Sequence, residues 1–420
     1  MSKKIFMLLL TLIGALAIFA ACGNDQAGDQ DVEITLINNK VEIDGALRDF
    51  ARLYEEMFGV RVNIHSFGGE TPYAPSLAAL LAGGDEPEIF VFEGMTDFLA
   101  AQAGGRVLDM SDQPWVNDTS MEFRYNGRVY GFPVALEGWG LGYNTRILRE
   151  AGIDPATLTN VNAIRNAFET IDAMRDELGL VSVVSMAAGP GMTWVTGLHG
   201  TNAYLSLGLA YEDTRIIDML NNGQVDEQRL LYFAEYYNLL FQFANPSTML
   251  VGGFDDQIGD FATERTAFIH QGNWIDPVFE EWGVNFEMGY VPHAFLPTNV
   301  NGIFVGAPSW YLVNPRSDNH EAALAFLQFM AGSPEGHRYM VVYAGAVPAF
   351  YSVPYSPAGP LSRAVTEWSA RGAVYAWHQN DMPAGFGMDT LGPIYELMAS
   401  GAIDAAEFAR LFTNAVAALN

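Results

Sequence analysis

Cysteine is nearly absent: the 420-residue chain has one, Cys22, so no internal disulfide framework holds the fold. Lysine is almost as scarce, at positions 3, 4 and 40 only, and every other base is arginine. With 21 Lys+Arg against 49 Asp+Glu the formal charge is −28, an imbalance that comes from missing cations at an ordinary level of acids. A field of that sign repels phosphate backbones, which excludes nucleic acid as a partner. After the first thirty residues no run of about 18 apolar residues recurs, so nothing downstream is expected to span a bilayer. No period of about 20–50 residues repeats, which excludes a solenoid or propeller. There is no HExxH, GxSxG or GxxxxGK[ST] motif, and the seven histidines are scattered without a pair at metal-ligand spacing. Asp255, Asp256 and Asp260 lack the twelve-residue calcium-loop pattern. No metal and no cofactor is expected.

What is present is ample material for a core. Half the residues are hydrophobic and 13% aromatic, enough for two or three folding units. Lys3 and Lys4 precede an apolar run from Ile5 to Ala21, and Cys22 follows at once. A basic start, a greasy segment and small residues before the break make a secretory signal, a plain signal peptide or a membrane anchor that stays uncut being the alternatives to a lipoprotein leader. Removing residues 1–21 takes Lys3 and Lys4 away and moves the charge from −28 to −30. Residues 22–31 are polar and without periodicity, as a flexible tether would be.

The body alternates strands and helices. VEITLIN (32–38), VRVNIHSF (60–67) and EIFVFEG (88–94) read as strands; residues 45–59 and 76–83 between them have helical spacing. Nearly continuous apolar strands imply a sheet covered on both faces, hence an α/β unit with parallel strands. Ligands of such sheets bind beyond the strand ends, here at the loops 67–73 and 93–97. Around GRVYGFPVALEGWGLGYNTRIL (127–148) the texture changes to extended runs about Gly138, Gly140 and Gly142, which we read as a crossing between two lobes. A mostly helical stretch runs to about residue 298. A second crossing is expected at VPHAFLP (291–297), an apolar strand at 303–314, and a third, Tyr/Pro-rich crossing at 351–360.

Several segments together carry a family resemblance. Phe19-Ala20-Ala21-Cys22 is similar to the bacterial lipobox, with Phe19 where leucine is usual; the resemblance implies that the Cys22 thiol is acylated. EPEIFVFEG (86–94), GFPVALEGWGLGYN (131–144), TAFIHQGNW (266–274), FVGAPSWYLVN (304–314) and GAVPAF (345–350) follow in the order found in extracellular solute-binding proteins of sugar ABC importers. The chain resembles that family, which includes maltose-binding protein. The resemblance implies a two-lobed α/β fold with three crossings: 32–136 plus 302–354 in one lobe, 137–298 plus 358–420 in the other. It implies a mono- or oligosaccharide held in the cleft, hinge closure, and delivery to the permease subunits of an ABC importer. The protein would be an extracytoplasmic monomer anchored by its N-terminal lipid, with no enzymatic activity. A secreted carbohydrate-active enzyme, or a receptor for a peptide or polyol, is the alternative.

Sugars present apolar C–H faces and hydroxyl edges, so a site for one needs flat aromatic platforms and planar polar partners. Tryptophan suits the platform. Trp139, Trp194, Trp274 and Trp310, each in an expected loop within three residues of Gly or Pro, and Trp377, also in an expected loop, are platform candidates, a packing role being the alternative for each. Trp115, Trp282 and Trp368 are assigned to structure. Asn273 can donate and accept at once, or cap the following helix. Glu137 lies where the family's matching stretch places a carboxylate against the sugar; the alternative is a hinge ion pair. Glu93 and Asp97 end the 88–94 strand, Asp97 with helix capping as its alternative, and Tyr73 follows the GGET turn.

Overall fold

The structure, a computed structural model, describes residues 32–68 and 73–419; Cys22, the leader, the tether and most of the GGET turn lie outside them. Strands β1 (Val32–Asn38), β2 (Val60–Ser66) and β3 (Ile89–Phe92) come first, with helices Asp44–Phe58 and Tyr73–Gly83 between them. The first helix sends Leu47, Phe50, Ala51 and Tyr54 into the core at helical spacing. It stops at Gly59, whose positive φ of 70° lets its N–H close on the Glu55 carbonyl at 2.8 Å. β1 runs parallel to both β2 and β3, as the apolar runs predict.

β4 (Phe123–Tyr125) and β5 (Arg128–Pro133) extend this sheet, and β6 (Glu137–Asn144) opens the next. The second lobe adds β7 (Val184–Ser185), β8 (Phe268–Gly272), β9 (Met288–Val291) and β10 (Ile303–Gly306). The chain then returns with β11 (Trp310–Val313) and later supplies β12 (Val374–Tyr375). The first sheet has the order β2-β1-β3-β11-β5-β4; the second has β12-β10-β6-β8-β7, with β9 also on β6. Each lobe has its own core, one around Phe132, Tyr311 and Phe326, the other around Phe168, Phe233 and Phe412.

The chain passes between the sheets at 134–136, 307–309 and 354–359. The first passage is tied by Leu136 N–H to the Val347 carbonyl at 2.9 Å. The second corrects two expectations. Residues 303–306 pair with β6 in the second sheet, so the crossing is at 307–309 and not at 291–297, and the boundary at 302 moves with it. The apolar run 303–314 is two strands, because Pro308 lacks the N–H a continuing ladder needs. The third passage ends where Asp276 accepts from Leu361 N at 3.2 Å and Ser362 N at 2.6 Å, capping helix Pro360–Ala370.

Candidate functional site

The wall on the second lobe is aromatic. β8 ends on Gly272, and Trp274 folds back over it; a Cβ at 272 would lie 2.0 Å from the indole ring, so glycine is required. Trp274 Nε1 donates to Gln271 Oε1 at 2.8 Å, and Gln271 Nε2 donates to Gln257 Oε1 at 2.8 Å, which fixes the ring's direction. The ring centroid is 4.9 Å from His199 and 6.3 Å from both Trp194 and Trp377. Trp194 and His199 belong to a π-helical stretch, Trp194–Gly200, a geometry that recurs at functional sites. Asn202 sets Trp377 in place: its Nδ2 donates to the Ala376 carbonyl at 3.1 Å and its Oδ1 accepts from Gln379 N at 3.0 Å. Trp194 and Trp274 are half-buried, and Trp377 is buried with its Nε1 unpartnered.

The wall on the first lobe is polar. Asn39 and Lys40 follow β1, Glu93 follows β3, and because these strands are parallel neighbours their ends lie together. Asn39 Nδ2 donates to Glu93 Oε1 at 2.5 Å, while Asn39 Oδ1 is buried without a partner. The Lys40 ammonium pairs with Glu137, the first residue of β6, and lies 4.0 Å from Glu42. Burial works against the ammonium, but Glu137 and then Glu42 outweigh it and hold Lys40 up to about 12. Glu93 is reached by solvent yet enclosed by protein, and burial pushes its carboxyl up to about 7 against the pull of Lys40; Asp97 and Glu137 add to the rise. Asp97 accepts from Glu93 N at 3.3 Å, and burial raises its carboxyl too.

The two walls meet at one point: Trp274 of the aromatic wall and Lys40, Glu42 and Glu137 of the polar wall line one inter-lobe cleft with the loop 344–346. Burial, then His270, then the Lys40 charge hold the His199 imidazole well below its ordinary value, so the field of Lys40 reaches the aromatic wall. Flat apolar faces opposite an amide, an ammonium and carboxylates are what a polyhydroxy ring requires on its faces and edges.

Of the residues singled out from sequence, Trp194, Trp274 and Trp377 form one cluster, Glu93 and Glu137 gather around Lys40, and Asp97 accepts from the Glu93 backbone. Four others are placed differently. Trp139 is wholly buried, stacked on Phe304 at 4.3 Å, and offers no face to a ligand. Asn273 spends its amide on the hinge: Oδ1 accepts from Gly138 N at 2.7 Å and Nδ2 donates to Ser362 at 3.2 Å. Tyr73 donates its hydroxyl to the Val91 carbonyl at 2.7 Å. Trp310 donates to the Met121 carbonyl at 2.6 Å and packs on Phe92 at 5.4 Å, inside the first lobe's aromatic group. Sequence reading missed Asn39, Lys40 and His199. Lys40 carried a signal, as the one lysine beyond the leader. Three of the seven histidines, far apart in sequence, meet in space: His199, His270 and His293 gather around Trp139. Among the described residues no group of three or more His, Cys, Asp or Glu is placed to hold a metal ion.

The chain and its fold have known relatives. Residues 50–373 match the bacterial extracellular solute-binding proteins as a family. The chain is 23% identical to the multiple sugar-binding protein of Streptococcus mutans over 372 residues, 84% of this chain and 86% of that one. The fold is similar to a sugar transporter protein of Bacillus licheniformis in complex with stachyose, with TM-score 0.70, 17% identity and coverage of 93% and 100% of the two chains. It is also similar to a binding protein of Bacillus subtilis in an open conformation, with TM-score 0.71, 18% identity and coverage of 92% and 97%. The family is one of solute receptors, not of enzymes, and this chain belongs to it: it is a bacterial extracellular solute-binding protein.

Proposed function

We propose that the solute is a mono- or oligosaccharide, held between the lobes and handed to the permease of an ABC importer by a monomer tethered through an acylated Cys22. The observation that carries this reading is the pairing of walls: indoles 274, 194 and 377 around His199 on one side, Asn39, Lys40 and Glu93 on the other. Sugar rings lie flat on such indoles while their hydroxyls take polar groups such as the solvent-reached Glu93 carboxylate. The name of the multiple sugar-binding relative and the stachyose held by the solved Bacillus licheniformis protein support the same class. Contacts made by both lobes favour the closed form, and that difference in affinity drives closure.

The test is a thermal-shift screen of the soluble body against mono- and oligosaccharides. A sugar at 100 times its Kd adds about 2.7 kcal/mol of stability. No shift from any sugar, with a shift from peptides or polyols, overturns the reading. The anchor is tested separately: Cys22→Ala should release the protein from the membrane fraction, and retention would contradict acylation at that residue.

A further inference from the structure

Behind the aromatic wall runs a chain of buried polar groups that sugar contact does not use. Tyr236, His293 and His270 are all at most 1% exposed. Tyr236 Oη lies 3.0 Å from His293 Nδ1, His293 Nε2 lies 2.9 Å from His270 Nδ1, and His270 Nε2 lies 3.0 Å from the Val195 carbonyl. The last member orders every proton. A carbonyl only accepts, so His270 carries its proton on Nε2. Burial keeps both imidazoles neutral, lowering His270 to about 4 and holding His293 well below its ordinary value. His270 Nδ1 therefore accepts from His293 Nε2–H, and His293 Nδ1 accepts from the tyrosine hydroxyl.

The chain ends on the part of the protein that shapes the wall. Val195 lies in the π-helical stretch between Trp194 and His199. Trp139 is set against the relay as well, with ring centroids 5.1 Å from both His270 and His293, and its face stacks on His199 at 5.6 Å and 20°. The relay thus holds Trp194 through the Val195 carbonyl and His199 through the Trp139 face.

We propose that Tyr236, His293 and His270 are positioning residues of the binding site, setting the π-turn that presents Trp194 and His199 to the solute. This rests on the reading of those two as the solute-facing wall. His293 also meets the Gly140 backbone, a second acceptor for its N–H; the direction running from Tyr236 to Val195 is the one in which every member is bonded.

The test uses the whole soluble body without ligand first. Nitrogen-15 spectra of the ring nitrogens should show both His270 and His293 neutral with the proton on Nε2; the opposite tautomer at either ring overturns the relay. His270→Leu removes both partners, whereas His270→Gln offers an N–H to Val195 and an oxygen to His293. The leucine variant should unfold cooperatively, change the near-ultraviolet circular dichroism of the indoles, and bind stachyose about tenfold more weakly, with glutamine restoring most of both. Equal behaviour of the two variants, or wild-type dichroism in the leucine variant, overturns the proposal. Tyr236→Phe deletes only the terminal hydroxyl and should move the His293 Nδ1 resonance even if the leucine variant fails to fold; an unmoved resonance overturns the proposal. A wild type that ignores stachyose counts against the sugar reading, while the spectra still decide the relay.

Discussion

Gly94 of the first lobe and Asn380 of the second touch across the cleft: a Cβ at position 94 would lie 2.4 Å from the Asn380 carbonyl oxygen. Asn380 in turn donates from Nδ2 to the Pro308 carbonyl at 3.0 Å, in the second crossing. The backbone at 94 is extended, with φ −176°, so any residue fits its conformation and only the opposite lobe demands glycine. Gly94→Ala should therefore hold the lobes apart. The expected result is about tenfold weaker sugar binding by calorimetry, with the ligand-free melting temperature nearly unchanged. Unchanged affinity would contradict closure at this contact.

The Lys40–Glu137 pair ties the end of β1 to the start of β6 with both side chains nearly buried. Removing one partner strands the other charge, so Lys40→Met should destabilise by about 3 kcal/mol, and Lys40→Met with Glu137→Gln should recover most of the loss. Because Lys40 is held up to about 12, above its ordinary 10.4 or so, its stabilising contribution is complete below that ordinary value and fades as pH climbs towards 12. Denaturant titration at neutral pH compares the variants. A double variant no better than the single would contradict the pairing.

Glu93 behaves in the opposite sense. Its carboxyl is raised to about 7, so the unfolded chain ionises first and the folded state is penalised progressively from roughly pH 4.3 to 7. Glu93→Gln should raise the melting temperature at pH 8 and leave it unchanged at pH 4. Solvent reaches the carboxylate, so the gain will be smaller than the whole shift implies. Equal effects at both values of pH would contradict the raised carboxyl.

Gly272 is predicted to be as necessary as the tryptophan it carries. Gly272→Ala places a methyl 2.0 Å from the Trp274 ring, which must leave His199 and the other indoles. The variant should lose sugar affinity about as severely as a deletion of the indole, with a shifted tryptophan emission maximum; wild-type emission would contradict the packing.

The strands and helices of the first lobe were legible because each shows a single period. β1, β2 and β3 stand where their apolar runs stand, and helix Asp44–Phe58 ends on its glycine. The 307–309 crossing was hidden because IFVGAPSWYLVN reads as one apolar run, and only the pairing of 303–306 with β6 divides it. Trp139 and Trp274 look alike in sequence, each within two residues of a glycine, but the glycines serve different ends. Gly140 lets β6 pack tightly, since a Cβ there would lie 2.7 Å from the Val291 carbonyl, and Trp139 goes inward with the strand; Gly272 leaves room for an indole to lie on the surface of a turn. Which carboxylate meets Lys40 depends on bringing residues 40, 93 and 137 together, and no local pattern encodes that.

The most direct measurement is a calorimetric titration of wild type and Trp274→Ala with raffinose, stachyose and maltooligosaccharides, with the recovered sugar analysed afterwards. One-to-one binding of at least one sugar is expected, with the sugar returned intact and the alanine variant weakened by about 2 kcal/mol or more, some thirtyfold. Equal affinity in both proteins, or a sugar returned cleaved, would contradict a receptor that grips its solute between an indole wall and a polar one.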